Sequence, residues 1–260
     1  MNLNILPLSK CRHLREAVWD DTLQSGWPKF MRMDPVATLV FSPERFERLE
    51  EYVLIAFDPR HPQKVIARGV TIPFCFGPQF GRQRLPQGGW DAIVHWAVMD
   101  EQLGRSPNSL AALEVLVHPD YMGQGLSGQM LSSMRTNARR LGFMHLYAPV
   151  RPSQKHLEPS TPITDYAYRT RDDGLPTDDW LRVHVRSGGR ILGVAEHSMT
   201  IPGTLEQWRS WTRVGFNQSG PVNVPGALVP VHVSVEQNHA VYVEPNVWVH
   251  HSLESPRPLP

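Results

Sequence analysis

The chain is 260 residues long, 41% hydrophobic and 20% charged, with a net charge of +1. That allows one large domain or two small ones with a proper core, and it excludes the broad positive field of a nucleic-acid binder. No apolar run approaches the ~20 residues of a membrane helix, Met1–Leu8 lacks the basic start of a signal peptide, and two distant cysteines, Cys11 and Cys75, fit a reducing cytoplasm without a disulfide framework.

In chain order, Leu14, Val18 and Leu23 recur at helical spacing, and Gly26-Trp27-Pro28 follows, so a helix is predicted over 11–24. Ser42 followed by Pro43 predicts a capped helix to Leu49. Tyr52–Phe57 and Val65–Phe74 read as strands. Gly88–Leu103 reads as a helix, with Trp90, Ile93, Val94, Ala97 and Val98 on one stripe. Leu110–Val117 is a strand. Leu126, Met130, Leu131, Met134, Ala138 and Leu141 form the next helical face, and Gly142 stops it. Met144–Val150 is a strand. Of 24 prolines, half cluster in 149–176 and 221–260, which marks loops and strand ends. Residues 151–176 form a long loop of the kind that is often functional. A helix over Asp178–Ser187, a strand over Arg190–Ile201 and a helix over Thr204–Val214 follow. Ala227–Val235 and Ala240–Val249 read as an antiparallel pair.

The order strand, glycine turn, helix is sharpest at Leu113–Leu131. An apolar run ends at Val117, His118-Pro119 breaks it, and Gly123 and Gly125 open the helix. Such a turn aims backbone N–H groups and a helix N-terminus at one anion. Glycine permits both the unusual backbone angles and the close approach. Gly123-x-Gly125-x-x-Gly128 also fits the dinucleotide fingerprint. That reading fails because five residues separate Val117 from the first glycine, no acid ends the next strand, and no second βαβ half follows.

The same residues resemble the GNAT superfamily of acyl-CoA N-acyltransferases. The strand Leu113–Val117, the step Val117-His118-Pro119 and the loop Met122–Ser127 match its central motif. Met122 stands where an Arg or Gln is usual, and Ser127 replaces a small residue. Val183-His184-Val-Arg-Ser-Gly188-Gly189 matches its second signature. The resemblance covers roughly residues 50–201. It implies an α/β (α+β) fold: a mixed twisted sheet flanked by helices, here with a C-terminal β-rich extension. The expected organisation is an N-terminal helical region (1–50), the acyl-CoA core (51–201) and a helix and β extension (202–260), packed as one globule.

The resemblance further implies direct attack of an amine on the thioester of acetyl-CoA or another acyl-CoA. Val115, Leu116 and Val117 would pair with the pantetheine and polarise the carbonyl. Met122, Gly123, Gln124, Gly125, Leu126 and Ser127 would hold the pyrophosphate. His184 falls where the family has a tyrosine that protonates the thiolate, and it titrates near neutrality. Tyr147 is a second acid candidate, or simply core. Glu114, among apolar neighbours, faces either the acceptor cleft as a base or solvent. Trp90, His95 and Trp96, the loop 151–176 and the tail Tyr242–His251 are candidates for acceptor contacts. His250-His251 lacks metal-ligand spacing, so no metal is expected. The acceptor would be a small-molecule amine, with no membrane or nucleic-acid partner. The terminal β pair offers an edge to a second copy in a homodimer. The rivals are a longer acyl-CoA or an aminoacyl-tRNA as donor, a non-catalytic acyl-CoA sensor, and a dinucleotide enzyme.

Overall fold

A computed structural model describes residues 3–254. Nine strands form one sheet: β1 (Asn4–Pro7), β2 (Val53–Phe57), β3 (Ala67–Phe74), β4 (Ser109–Val117), β5 (His145–Val150), β6 (Arg190–Thr204), β7 (Gly220–Val222), β8 (Val231–Ser234) and β9 (His239–Ser252). The spatial order is β1-β2-β3-β4-β5-β9-β8-β7, and β6 also pairs with β9. Among these pairings only β4 and β5 run parallel. The helices are α1 (Asp21–Gln24), α2 (Pro43–Arg48), α3 (Gly89–Gln102), α4 (Leu126–Arg140), α5 (Ile163–Ala167), α6 (Asp179–Arg186) and α7 (Leu205–Thr212).

The predicted stripes are buried except at Val98 and Leu141, which are half-buried. On α4, Leu126, Met130 and Met134 pack on one sheet face over β2 and β3, and Ala138 packs beside Leu110 of β4 and Leu146 of β5. On α3, Trp90, Ile93, Val94 and Ala97 pack on the other, beside α7 and the N-terminal turns. Ser42 caps α2, its Oγ accepting from Arg45 N at 3.3 Å.

The helix expected over 11–24 is not formed. Short 3-10 turns at Arg12–Leu14 and Ala17–Trp19 precede the single turn of α1. Asp20 adopts an extended ψ and caps α1 through Leu23 N, which restarts the chain there. Leu14, Val18 and Leu23 are buried as the spacing suggested, so tertiary burial won over helical continuity. The loop 151–176 contains α5 and a 3-10 turn at Lys155–Leu157. Asp178 ties it down, accepting from Gln154 N, the Tyr166 hydroxyl and its own helix amides.

Two features open the sheet. β4 carries a bulge at Leu113, because Val70 faces Glu114 while Thr71 faces Ala112. β4 and β5 pair only at Leu110↔Leu146 and Ala111↔Tyr147, then part. β9 lies beside β5 through Val150↔Val247, so the end of β5 is held away from β4 by the C-terminal strand.

Candidate active site

The gap between β4 and β5 lies in a cavity of about 1010 Å³. Its lining comes from both faces of the sheet, so the cavity passes through it. On the α4 side lie Tyr121, Gly123, Gly125, Ser127, Trp180 and His184; on the opposite side lie Trp19, Trp27, Asp34, Phe41, Trp90 and Glu244. Ala112–Val117 of β4 and Ala148–Arg151 border the gap between the two halves.

On the α4 side the glycine turn has the geometry its sequence required. Gly123 and Gly125 sit at φ +74° and +73°, in left-handed backbone that L side chains rarely adopt. Gly125 caps α4 with no side-chain hydrogen bond. The amides of Leu126, Ser127 and Gly128 find no carbonyl or side-chain acceptor among the described residues. Such free N–H groups at the positive end of a helix are an anion cradle. Of the nine residues expected on this side, Val115, Leu116, Val117, Met122, Gly123, Gly125, Leu126 and Ser127 line the cavity. Gln124 does not; it is exposed, and its amide donates to Asp120 O.

His184 lines the cavity and is 2% exposed. Its Nδ1 lies 3.0 Å from His251 Nε2, which leaves Nε2 as its unbonded nitrogen. Burial, and then His251, push its pKa well below 6.5, so it is neutral at physiological pH. Tyr147 is placed elsewhere. It stacks on His250 and meets Phe74 and Phe76 edge-on, outside the cavity lining. Its alternation on β5 turned it to the α3 face.

Glu114 lines the half of the cavity away from α4, but as half of a buried ion pair. Arg68 Nε and Nη2 donate to its oxygens at 2.7 and 3.1 Å, and Trp27 Nε1 donates at 3.2 Å. The same guanidinium donates to Val18 O at 2.6 Å and lies over the rings of Trp19, Phe41 and Phe46. Trp90 lines the cavity, with its indole N–H on Leu113 O at the bulge. His95 and Trp96 do not. His95 is exposed, and Trp96 lies under Arg82 on the far side of α3. They lie five and six residues beyond Trp90, off its stripe.

The sequence reading missed the N-terminal wall, Asp34 and Asp91, and it covered Glu244 only as part of the tail Tyr242–His251. Glu244 is fully buried, held by Arg151 Nε at 2.9 Å, the Tyr242 hydroxyl at 2.8 Å and Asn246 Nδ2 at 3.2 Å. Asp34 is 2% exposed; Val36 N donates to its Oδ1, and Oδ2 has no donor. Asp91 accepts from Thr200 N at 2.9 Å through Oδ2, and its Oδ1 has none. The one cheap signal was Asp34-Pro35, a cap before a proline. It marks a turn and says nothing of a cavity.

Asp34 and Asp91 are neighbours, each acting on the other. Burial first, then Asp34, push Asp91 up to about 8, and Glu244 adds to it. Asp34 is raised as well, chiefly by burial. At neutral pH the pair therefore keeps one proton between two carboxyl groups.

This sets a pH profile of stability. His184 and His251, the latter lowered to about 4 by burial and Arg135, are depressed in the fold. Each adds a proton to the unfolded chain but not to the native one, so stability rises with pH up to about 6.5. The Asp34–Asp91 pair works the other way, because its native proton is held up to about pH 8 while the unfolded acids lose theirs near 4. The melting temperature should peak near pH 6.5, fall from there to about pH 8, and level off above that. Asp91→Asn should flatten that fall, and an unchanged fall would remove the shared proton from the account.

No protein-family profile matches the chain. An arginine N-acetyltransferase (avaD) from Aspergillus versicolor is 31% identical over 256 residues, spanning 89% of this chain and 87% of that protein. The loading GNATL domain of CurA from Lyngbya majuscula superposes with a TM-score of 0.55 at 14% identity, covering 97% of each chain. The GphF GNAT-like decarboxylase in complex with isobutyryl-CoA gives 0.53 at 15%, covering 98% of this chain and 100% of that one. At those identities the two structures share the fold alone. The chain belongs to the GNAT superfamily. It is an acyl-CoA-dependent N-acyltransferase.

Proposed function

We propose that the chain moves an acetyl group from acetyl-CoA to an amine of a small, arginine-like molecule in the cytoplasm. The observation that carries this is one cavity joining a free amide cradle, through the β4–β5 gap, to an acid-lined chamber. A diphosphate suits the first and a cationic amine the second. The name of the Aspergillus relative supports arginine as the acceptor class. The two cysteines, both buried and unpaired, fit a reducing compartment.

In this reading the donor's pyrophosphate lies on the amides of the 122–127 loop, and its pantetheine runs along the open edge of Val115–Val117. The thioester carbon sits at the gap. The amine attacks it from the acceptor half, the C–N bond forms, and the C–S bond breaks with the electron pair on sulfur. Glu114 and Glu244, which border the acceptor half from β4 and β9, are the carboxylates toward which the amine's proton leaves. Glu114 owes its position to Arg68 and Trp27. His184 meets the departing thiolate through Nε2 as a neutral N–H donor, with Nδ1 accepting from His251.

His184→Gln should lower kcat by roughly tenfold to a thousandfold while acetyl-CoA affinity stays within about twofold. Unchanged kcat would remove His184 from the reaction. The function itself is tested by thiol release from acetyl-CoA over a panel of arginine, agmatine, lysine and neutral alkylamines. Release with arginine or agmatine above the acceptor-free rate is expected. Release with none of the cationic amines would overturn the reading.

A further inference from the structure

Two residues that do not line the cavity bear on what His184 offers it. His184 stands on the cavity wall, and behind it lies His251 of β9, fully buried and off that wall. The bond between them, from His184 Nδ1 to His251 Nε2 at 3.0 Å, holds one proton that either ring can own.

The packing fixes both rings. Trp180, one turn earlier on α6, meets His184 edge-on with centroids 4.5 Å apart. His251 pairs with Leu146 of β5. Gly189 follows α6 and donates its N–H to His184 O at 2.9 Å. A Cβ on Gly189 would lie 2.7 Å from that carbonyl and 2.8 Å from His251 Cε1, so only glycine lets the end of α6 close on the His251 ring.

The owner of the proton decides the chemistry. If His184 keeps it on Nδ1, its Nε2 is a bare lone pair, and the proton of His251 sits on Nδ1. If His251 keeps it on Nε2, His184 carries its own N–H at Nε2, and Nδ1 of His251 is bare. That Nδ1 is buried without a partner, so the first arrangement strands a buried N–H, which folded chains rarely do. Arg135 of α4 acts in the same direction. It is half-buried with no acceptor for its Nε, and its charge is the largest acting on His251. A positive charge repels an N–H and attracts a lone pair. His250 also disfavours a charged His251 ring, and the Ser187 carbonyl, the weakest influence of the four that include burial, opposes them.

We propose that His251, its tautomer set by Arg135, is a positioning residue that holds His184 as an Nε2–H donor toward the departing sulfur. This rests on the acetyltransferase reading of the cavity and deepens it by naming what orients the group that meets the leaving thiolate. No proton crosses the two rings. The electron pair of the broken C–S bond stays on sulfur, the His184 N–H bonds to it, and the thiolate takes its proton from solvent.

The test is long-range proton–nitrogen spectroscopy of the histidine rings in the full chain, read beside steady-state kinetics with acetyl-CoA. In the wild type, His184 should show a bare Nδ1 and a protonated Nε2 from about pH 6 to 8. His251→Met and His251→Gln introduce side chains of similar length, and only Gln can donate to His184. The Met variant should lower kcat by about tenfold to a hundredfold, keep KM for acetyl-CoA within about twofold, and let His184 populate both tautomers. The Gln variant should restore the wild-type ring pattern and most of kcat. Arg135→Met should mix the tautomers, and Arg135→Lys should not. Where a variant does not fold, the wild-type spectrum decides. A protonated Nδ1 on His184 in the wild type, or equal kcat in the folded Met and Gln variants, overturns the proposal. The expected ring pattern in a wild type that transfers no acetyl group would sink the enzymatic reading and leave the histidine pair standing.

Discussion

Gly125→Val is expected to lower kcat/KM for acetyl-CoA by at least about a hundredfold and to erase the donor-induced rise in melting temperature. Gly125 adopts φ +73° at the start of α4, and a β-branched residue is strained there by about 1–2 kcal/mol. A Cβ at this position meets nothing within 4 Å, so the fold has room for the change. The damage falls on the loop conformation that keeps the Leu126, Ser127 and Gly128 amides turned outward. Each amide-to-phosphate hydrogen bond contributes about 1.5–3 kcal/mol, so losing two of them exceeds a hundredfold. Steady-state kinetics against acetyl-CoA, with circular dichroism to verify the fold, checks this. Donor kinetics unchanged in a folded variant would mean that the glycine turn is only a strand-to-helix connection.

Arg68→Met is expected to destabilise the protein by about 3–5 kcal/mol, a fall of roughly 6–20 °C in melting temperature. Arg68 is 2% exposed and Glu114 9%, so removing the guanidinium strands a buried carboxylate that retains only the Trp27 indole. Val18 O also loses its donor. The double variant Arg68→Met with Glu114→Leu removes both charges and should recover much of the loss. Activity should not return with stability, because the acceptor half then lacks its β4 carboxylate. Thermal melts of the two single variants and the double variant form the cycle. Additive losses would show that the pair is not coupled.

How far the sequence disclosed this molecule varied with the range of the interactions involved. The α4 stripe, the α2 cap and the glycine turn are local, set by residues within one or two helical turns of each other. They were legible, and so was the GNAT resemblance that rests on them. Of the nine residues expected to hold the donor, eight line the cavity, with Gln124 as the exception.

The acceptor half was not legible, because its parts come from four remote stretches. Asp34 follows an N-terminal turn, Glu114 lies on β4, Arg151 follows β5 and Glu244 belongs to β9. Nothing in their spacing predicts that they meet. Tyr147 shows a second limit. Period-two alternation fixes which residues share a face but not which face meets the cavity. Residues 11–24 show a third, where helical spacing marked the buried positions correctly while Asp20 interrupted the helix.

The position of β9 explains much of this. From sequence it was one arm of a C-terminal hairpin beyond the family's pattern. In the fold it lies against β5, holds the β4–β5 gap open, and carries Glu244 and the His251 that bonds His184. Strand order in a sheet is a long-range property, and no local signal encodes it.

The most direct test of the central claim is isothermal titration of acetyl-CoA and CoA into the wild-type protein, with NADPH as a control. One site per chain for both CoA species, and none for NADPH, is the result predicted by the amide cradle and the open edge of β4. Absence of binding by either CoA species would contradict it.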